Sequence, residues 1–259
     1  MFEAVDDFRK RLSQGGLLIG PGINLTDPRS SEALADRVDF LWIDLEHSNM
    51  SPEAMGGHLL AARGRKKPAF VRIQGIGTQF IKPVLDAGAD GIVVPQVESA
   101  EQVEQIVADC RYPPEGRRGF GPLVPTNYGR ESLEEYVEKA NTSIFVTVMI
   151  ETVQALQAID KIVAVKGLDS VVLGPWDLSG ALGLLGQVEH PTVVAAMEEI
   201  IAKAAAAGLS VGSGAPADPE FISTQAKRGV RWIQAGSDIT FMVSYVDRVY
   251  NEIRQNHKT

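Results

Sequence analysis

The chain has 259 residues, 44% of them hydrophobic and 22% charged, with 25 Gly and 14 Pro. That size and apolar share suit one large α/β unit, a single domain over residues 1–259 with a continuous core. A net charge of −8 without a basic run argues against nucleic acid as a partner, and the lone cysteine, Cys110, excludes an internal disulfide.

Short apolar runs alternate with helical patterns. The first strand is expected at Leu17–Gly20, followed by a helix from Arg29 to about Asp36. The second strand is Val38–Asp44, and its helix opens at Ser51-Pro52, a good N-cap followed by a residue suited to the first helical position. The third strand is Ala69–Arg72, with a helix from Thr78 to Asp86 ended by Ala87-Gly88. The fourth is Gly91–Pro95, with a helix from Ser99 to Cys110 in which Cys110 reads as half-buried. A Pro- and Gly-rich stretch, Arg111–Gly129, then precedes a short acidic helix near Ser132–Lys139. Its length suggests a lid or a binding loop.

The fifth strand, Phe145–Glu151, leads to a helix over Val153–Ile162, and the sixth, Ser170–Gly174, to a helix over Pro191–Ala207. The seventh is Leu209–Gly212, with a helix from Pro219 to Arg228. The eighth is Trp232–Ala235, and a last helix covers Ile239–Arg254. The strand runs are rich in Val and Ile and lack polar alternation, as parallel strands covered on both faces do. Eight strands each followed by a helix read as a (β/α)₈ TIM barrel; an open doubly wound sheet would leave its edge strands more polar. No run is apolar and long enough to cross a membrane and no secretory pattern is seen, so no membrane partner and a cytoplasmic location are expected.

In such a barrel chemistry sits at the C-terminal ends of the strands. The second strand ends in Asp44, with Glu46 and His47 just beyond. The third ends in Arg72 and the fifth in Glu151. The sixth runs into Gly174-Pro175-Trp176-Asp177, and the eighth into Gly236-Ser237-Asp238. Glu151 follows a strongly apolar strand, where a charge is costly without a partner, and Arg72 ends a similar stretch. Two carboxylates from adjacent strands, completed by neutral oxygens and water, suit Mg²⁺ or Mn²⁺, and no His/Cys cluster has zinc spacing. A cation at the same mouth can hold a carboxylate or an enolate oxygen, and a His can move protons near neutral pH.

These segments resemble the HpcH/HpaI aldolase family, the metal-dependent class II pyruvate aldolases of the citrate lyase β-like superfamily. The pieces are FLWIDLEHSNMS (Phe40–Ser51), FVRI (Phe70–Ile73), VLDAGADGIVVPQVESAEQ (Val84–Gln102), RYPPEGRRGFG (Arg111–Gly121), VMIET (Val148–Thr152) and GPWDLSGALG (Gly174–Gly183). Their order and spacing over nearly the whole chain carry the likeness. It implies that Glu151 and Asp177 bind a divalent metal, Mg²⁺ or Mn²⁺, with Co²⁺ also admissible. It further implies that His47 is the base, that Arg72 steadies the enolate, that Asp44 is an acidic neighbour and that Asp86 raises the basicity of His47. Gly174, Pro175 and Trp176 match the segment whose backbone receives the carboxylate of a 2-oxo acid.

The implied reaction makes or breaks a carbon–carbon bond between a pyruvate-like enolate and an aldehyde, within 4-hydroxy-2-oxo acids. No strand-end Lys is present to form a Schiff base. The family's assembly implies a homo-oligomer, a hexamer or trimer, in which the last helix, with Phe241, Met242, Tyr245, Val246 and Val249, is exchanged. Two positions depart from the pattern: Met149 stands where the aldolases usually place a Gln that holds pyruvate, and Trp176 where they have a small residue. The alternatives are a CoA-thioester lyase of the citrate lyase type, for which Arg117-Arg118 are the main basic residues on offer, and a non-catalytic barrel.

Overall fold

The computed structural model describes residues 1–257. Eight parallel strands close into one barrel in sequence order, β1 pairing with β8. The strands are β1 Leu18–Ile23, β2 Leu41–Asp44, β3 Ala69–Arg72, β4 Gly91–Val94, β5 Phe145–Ile150, β6 Ser170–Leu173, β7 Ser210–Ala215 and β8 Trp232–Ser237. Every residue of β2, β4, β5 and β6 is buried, which is why their sequences show no polar alternation.

The helices up to β5 are α1 Glu3–Ser13, α2 Arg29–Ala35, α3 Pro52–Gly64, α4 Thr78–Asp86, α5 Ala100–Cys110 and α6 Leu133–Ser143. Those after it are α7 Val153–Gln157, α8 Ile159–Ile162, α9 Pro175–Ala181, α10 Pro191–Ala206, α11 Pro219–Arg228 and α12 Asp238–Asn256. Ser51 caps α3 by accepting from Ala54 N, with Pro52 in the first turn, as its sequence predicts. Ser99, Ser132 and Thr152 cap α5, α6 and α7 in the same way. Cys110 is fully buried rather than half-buried.

Four features depart from the expected elements. Helix α1 precedes the first strand and stoppers the barrel floor: Phe8 lies 4.8 Å from the ring of Phe70 and within about 6 Å of Phe40, Phe145 and Trp232. Its buried Val5, Phe8 and Leu12 keep a helical spacing that the sequence already displays. The single helix expected after β5 breaks at Ala158 into α7 and α8, and the short α9 was not anticipated. The segment 111–129 follows α5 and precedes β5, so it lies at the floor and not at the mouth of its own barrel. It is therefore no lid over this chain's strand ends, and it leaves Phe120, Leu123 and Tyr128 exposed there.

Helix α12 is anchored at its start, where the buried Asp238 accepts from Asn24 N (3.0 Å) and Leu25 N (3.2 Å). Beyond that it does not lay its apolar face on the barrel, since Met242, Tyr245 and Val246 are exposed. No helix among the described residues is long and apolar enough to cross a membrane.

Candidate active site

Strand pairing sets the site. Asp44 and Arg72 are direct neighbours across β2 and β3, each the last residue of its strand. Arg72 donates from Nε to Asp44 Oδ1 (2.9 Å) and from Nη2 to Asp44 Oδ2 (2.6 Å), a two-pronged fork that fixes the guanidinium plane. Its Nη1 lies 3.1 Å from Glu46 Oε2. Asp44 Oδ1 also accepts from the backbone of Glu46 (3.0 Å) and His47 (3.3 Å), so this carboxylate shapes the turn that carries His47. Burial works against the charge on Asp44, yet the bonds and charge of Arg72 outweigh it and hold the carboxyl below its usual range. Arg72 is correspondingly held above its own.

His47 reaches out into solvent, its side chain 65% exposed, with Nε2 3.6 Å from Glu46 Oε2. Glu46 is raised by burial, against the pull of Arg72 and His47 and with the charges of Asp44 and Asp177 adding to the rise. Glu46 belongs to the site by contact, although the sequence gives it no role of its own. The signal was its place between Asp44 and His47.

Glu151 follows β5 and is buried. Its Oε1 accepts from Gln96 N at 2.8 Å. Its Oε2 rests against Gly174, where a side chain would collide with it. Burial pushes the carboxyl up to about 7, with the charges of Asp177 and Glu46 adding to the rise and the Gln96 N–H opposing it. Asp177 is exposed in the first turn of α9, without a hydrogen bond or ion pair among the described residues.

The donor set fits a hard divalent cation. Four carboxylates crowd one mouth, two of them buried, and a cation between Glu151 and Asp177 would relieve part of their repulsion. Among the described residues no group of three or more His, Cys, Asp and Glu is arranged to hold a metal. Two carboxylates with water and substrate oxygens making up the rest is a pattern Mg²⁺ and Mn²⁺ accept.

The turn after β6 makes Gly174 the N-cap of α9 and Pro175 its first residue, leaving the N–H groups of Trp176 and Asp177 without intrahelical partners. Pro175 has no N–H to give, so it contributes shape only. Trp176 is 41% exposed and its ring packs 6.0 Å from that of Phe221 on α11. Met149 is buried in β5, paired with Val172 of β6, and its methyl lies close beneath Gly174.

Asp86 is not brought to this mouth. It ends α4 at the barrel floor, where Arg118 Nη2 donates to its Oδ1 at 2.6 Å. A helix after a strand runs back toward the floor, so its last residue stands a barrel's height from His47 of the same chain. Arg118 is wholly buried over the ring of Tyr112, and Arg117 Nε is paired with Asp109 at 2.7 Å.

Comparison with known proteins points to one family. The family model for HpcH/HpaI aldolase/citrate lyase matches residues 27–244. A hydroxypyruvate/pyruvate aldolase of Roseobacter denitrificans is 34% identical over 93% of this chain and 94% of its own. Among solved structures, an HpcH/HpaI aldolase from Desulfitobacterium hafniense superposes with a TM-score of 0.89 at 31% identity, covering 95% of this chain and 96% of that one. The citrate synthase SbnG superposes with a TM-score of 0.87, also at 31% identity, covering 97% and 98%.

Proposed function

Because the chain belongs to the HpcH/HpaI aldolase/citrate lyase family, we propose that it is a class II aldolase, a carbon–carbon lyase that joins a pyruvate-like 2-oxo acid to an aldehyde and reverses that step. The observation that carries this reading is the Arg72–Asp44 fork beside the two carboxylates Glu151 and Asp177 at one barrel mouth. Hydroxypyruvate and pyruvate are the donors expected here, by analogy with the relative of that name.

Glu151 and Asp177 would hold the divalent cation, Mg²⁺ or Mn²⁺ in our reading. Bound there, it supplies the positive charge that makes a 2-oxo acid acidic at C3 and steadies the enolate that results. The N–H groups of Trp176 and Asp177 face the carboxylate of the 2-oxo acid. Arg72, its plane fixed by Asp44, presents its remaining N–H groups to the enolate oxygen. In cleavage His47 takes the proton of the C4 hydroxyl, directly or through a water, as the C3–C4 bond breaks. Its exposure on the turn after β2 suits proton exchange with solvent. The aldehyde leaves and the enolate is protonated at C3.

A CoA thioester as donor is the weaker reading, since Arg117 is committed to Asp109 and Arg118 is buried, which removes the two basic residues the sequence offered to its phosphates. The exposed face of α12, with Met242, Tyr245 and Val246, supports a homo-oligomer, hexamer or trimer, in which a second copy covers it. The deciding experiment supplies Mn²⁺, a short hydroxyaldehyde and either pyruvate, hydroxypyruvate or acetyl-CoA. Aldol product from the 2-oxo acids alone supports the reading; product from acetyl-CoA alone overturns it.

A further inference from the structure

We propose that Gln234, on the inner face of β8, reads a hydroxyl group of the substrate through its free carboxamide oxygen. The inference rests on the aldolase reading and deepens it by naming what the site selects. Trp232 marks the inner face of β8: its Nε1 donates to Ser170 Oγ at 2.9 Å inside the barrel and its ring meets Phe8 at the floor. Gln234, two residues nearer the mouth, points the same way. Strand pairing then joins it to the carboxylate by a level row. Gln234 pairs with Gly214 of β7, Ser213 with Leu173 of β6, and Leu173 with Ile150 of β5. One residue further on, Gly174 stands beside Gly214 and Glu151 beside Gly174.

The two glycines in the middle of this row leave space that one side chain enters from each end. Glu151 Oε2 rests against Gly174, and Gln234 Oε1 lies 3.5 Å from where a Cβ on Gly214 would stand. Side chains paired across adjacent strands start roughly 5 Å apart, so the two oxygens lean toward each other over a gap on the order of 5–10 Å, room for a small substrate. The amide cannot be turned round. Its Nε2 donates to Gly236 O, closing the bulge at which β8 slips one residue against β1, and lies 3.0 Å from where a Cβ on Gly22 would stand. Oε1 is left over and accepts no hydrogen bond among the described residues. It is not sealed off either. Gln234 is half-buried and borders a cleft of about 740 Å³ shared with Pro216, Ala217, Gly236 and Thr240, which stand at or beyond the mouth ends of β7 and β8. The bulge uses only the amide N–H. A free carboxamide oxygen can only accept, so its complement is a donor, and carboxylates, keto oxygens and aldehyde oxygens are all acceptors. A substrate hydroxyl is what remains: that on C3 of a hydroxylated 2-oxo acid, or that beside the carbonyl of a hydroxyaldehyde.

The test reads a ratio, so that damage to the bulge cannot pass for lost recognition. Gln234→Met keeps the length of the side chain and removes the amide; Gln234→Ala, which only shortens a side chain set between glycines, serves where the first variant does not fold. The Mn²⁺-loaded enzyme is assayed for kcat/KM in the aldol direction with hydroxypyruvate against pyruvate as donor, and with glycolaldehyde against acetaldehyde as acceptor. Kd values for both 2-oxo acids are measured by calorimetry. We expect the preference for the hydroxylated member of one pair to fall about three- to tenfold, as for one lost hydrogen bond. A fall in the donor ratio assigns Oε1 to the C3 hydroxyl, and a fall in the acceptor ratio assigns it to the aldehyde. Both ratios unchanged, even with activity lowered throughout, overturns the proposal and leaves Gln234 a tie for the bulge. If wild type binds 2-oxo acids yet joins them to no aldehyde, the aldolase reading fails while the Kd ratio still judges Gln234. Wild type that binds no 2-oxo acid overturns both.

Discussion

Gly174→Ala should cripple the site through one methyl group. Gly174 has φ −103, a conformation open to alanine, so backbone strain plays no part. The added Cβ would meet Glu151 Oε2 far inside contact distance, would lie 3.0 Å from Glu151 Cβ and 3.3 Å from the Met149 methyl. The carboxylate is buried and its other oxygen is tied to Gln96, so it cannot swing aside freely. Overpacking of this kind costs about 1–3 kcal/mol, which for a chain of this length lowers Tm by roughly 2–12 °C. Shifting Glu151 by about an ångström should cost on the order of 10²-fold in kcat/KM, and Mn²⁺ affinity should fall about 10–100-fold. The assays are thermal unfolding, Mn²⁺ titration and steady-state kinetics at saturating metal. Pairing Gly174→Ala with Glu151→Asp, which draws the carboxylate back, should recover Tm without recovering activity. A Gly174→Ala enzyme with wild-type metal affinity and rate would refute the close approach of Glu151 to this turn.

Glu151→Ala and Asp177→Ala should each abolish aldol turnover, and EDTA should do so reversibly; full activity in metal-free protein would contradict the assignment of both carboxylates. His47→Ala should lower kcat about 10²–10⁴-fold, and Arg72→Lys about 10²–10³-fold because an ammonium cannot reproduce the fork on Asp44, with near-wild-type kinetics in either telling against its role. Asp90, buried and accepting from Ala69 N at 3.0 Å, is pushed up to about 7 by that burial. The folded chain therefore holds a proton that the unfolded chain releases near pH 4, so this group's stabilisation is full below that pH and is lost as pH rises through about 7, by a few kcal/mol at most. Asp90→Asn should flatten the decline in Tm between pH 5 and pH 8.5, and an unaltered decline would place the titration elsewhere.

The barrel was legible because its strands carry an uninterrupted apolar signal. Ala69–Arg72 and the α4 and α11 boundaries coincide with the sequence reading. Helix α1 is absent from the expected elements although Val5, Phe8 and Leu12 keep a helical spacing, because it lies ahead of the first continuous apolar run. The mouth residues Asp44, Arg72, Glu151 and Asp177 could be found from their place at strand ends, since topology alone decides which end faces the chemistry. Asp86 defeated that logic: it ends a helix, not a strand, and the same topology sends it to the floor. The long segment 111–129 fell to the same rule, for length says that a loop has work to do but not at which end. Glu46 was placed at the mouth but without a role, and Gln96 escaped, because their parts depend on side-chain and backbone geometry, a 3.1 Å ion pair and a left-handed φ, that residue spacing does not encode.

The floor helix bears on how the chain is made. Helix α1 is synthesised before every strand, yet the aromatic ring it presents is received by Phe40, Phe70, Phe145 and Trp232, the last of which leaves the ribosome some 220 residues later. Closure is delayed in the same way, since β1 must wait for β8. A nascent chain therefore carries Phe8 incompletely covered until Trp232 emerges, and the barrel closes only after β8 is released. Such long-range closure is slow and exposes apolar surface to aggregation, so yield in the cell should depend on chaperone supply and growth temperature more steeply than the stability of the finished barrel would suggest.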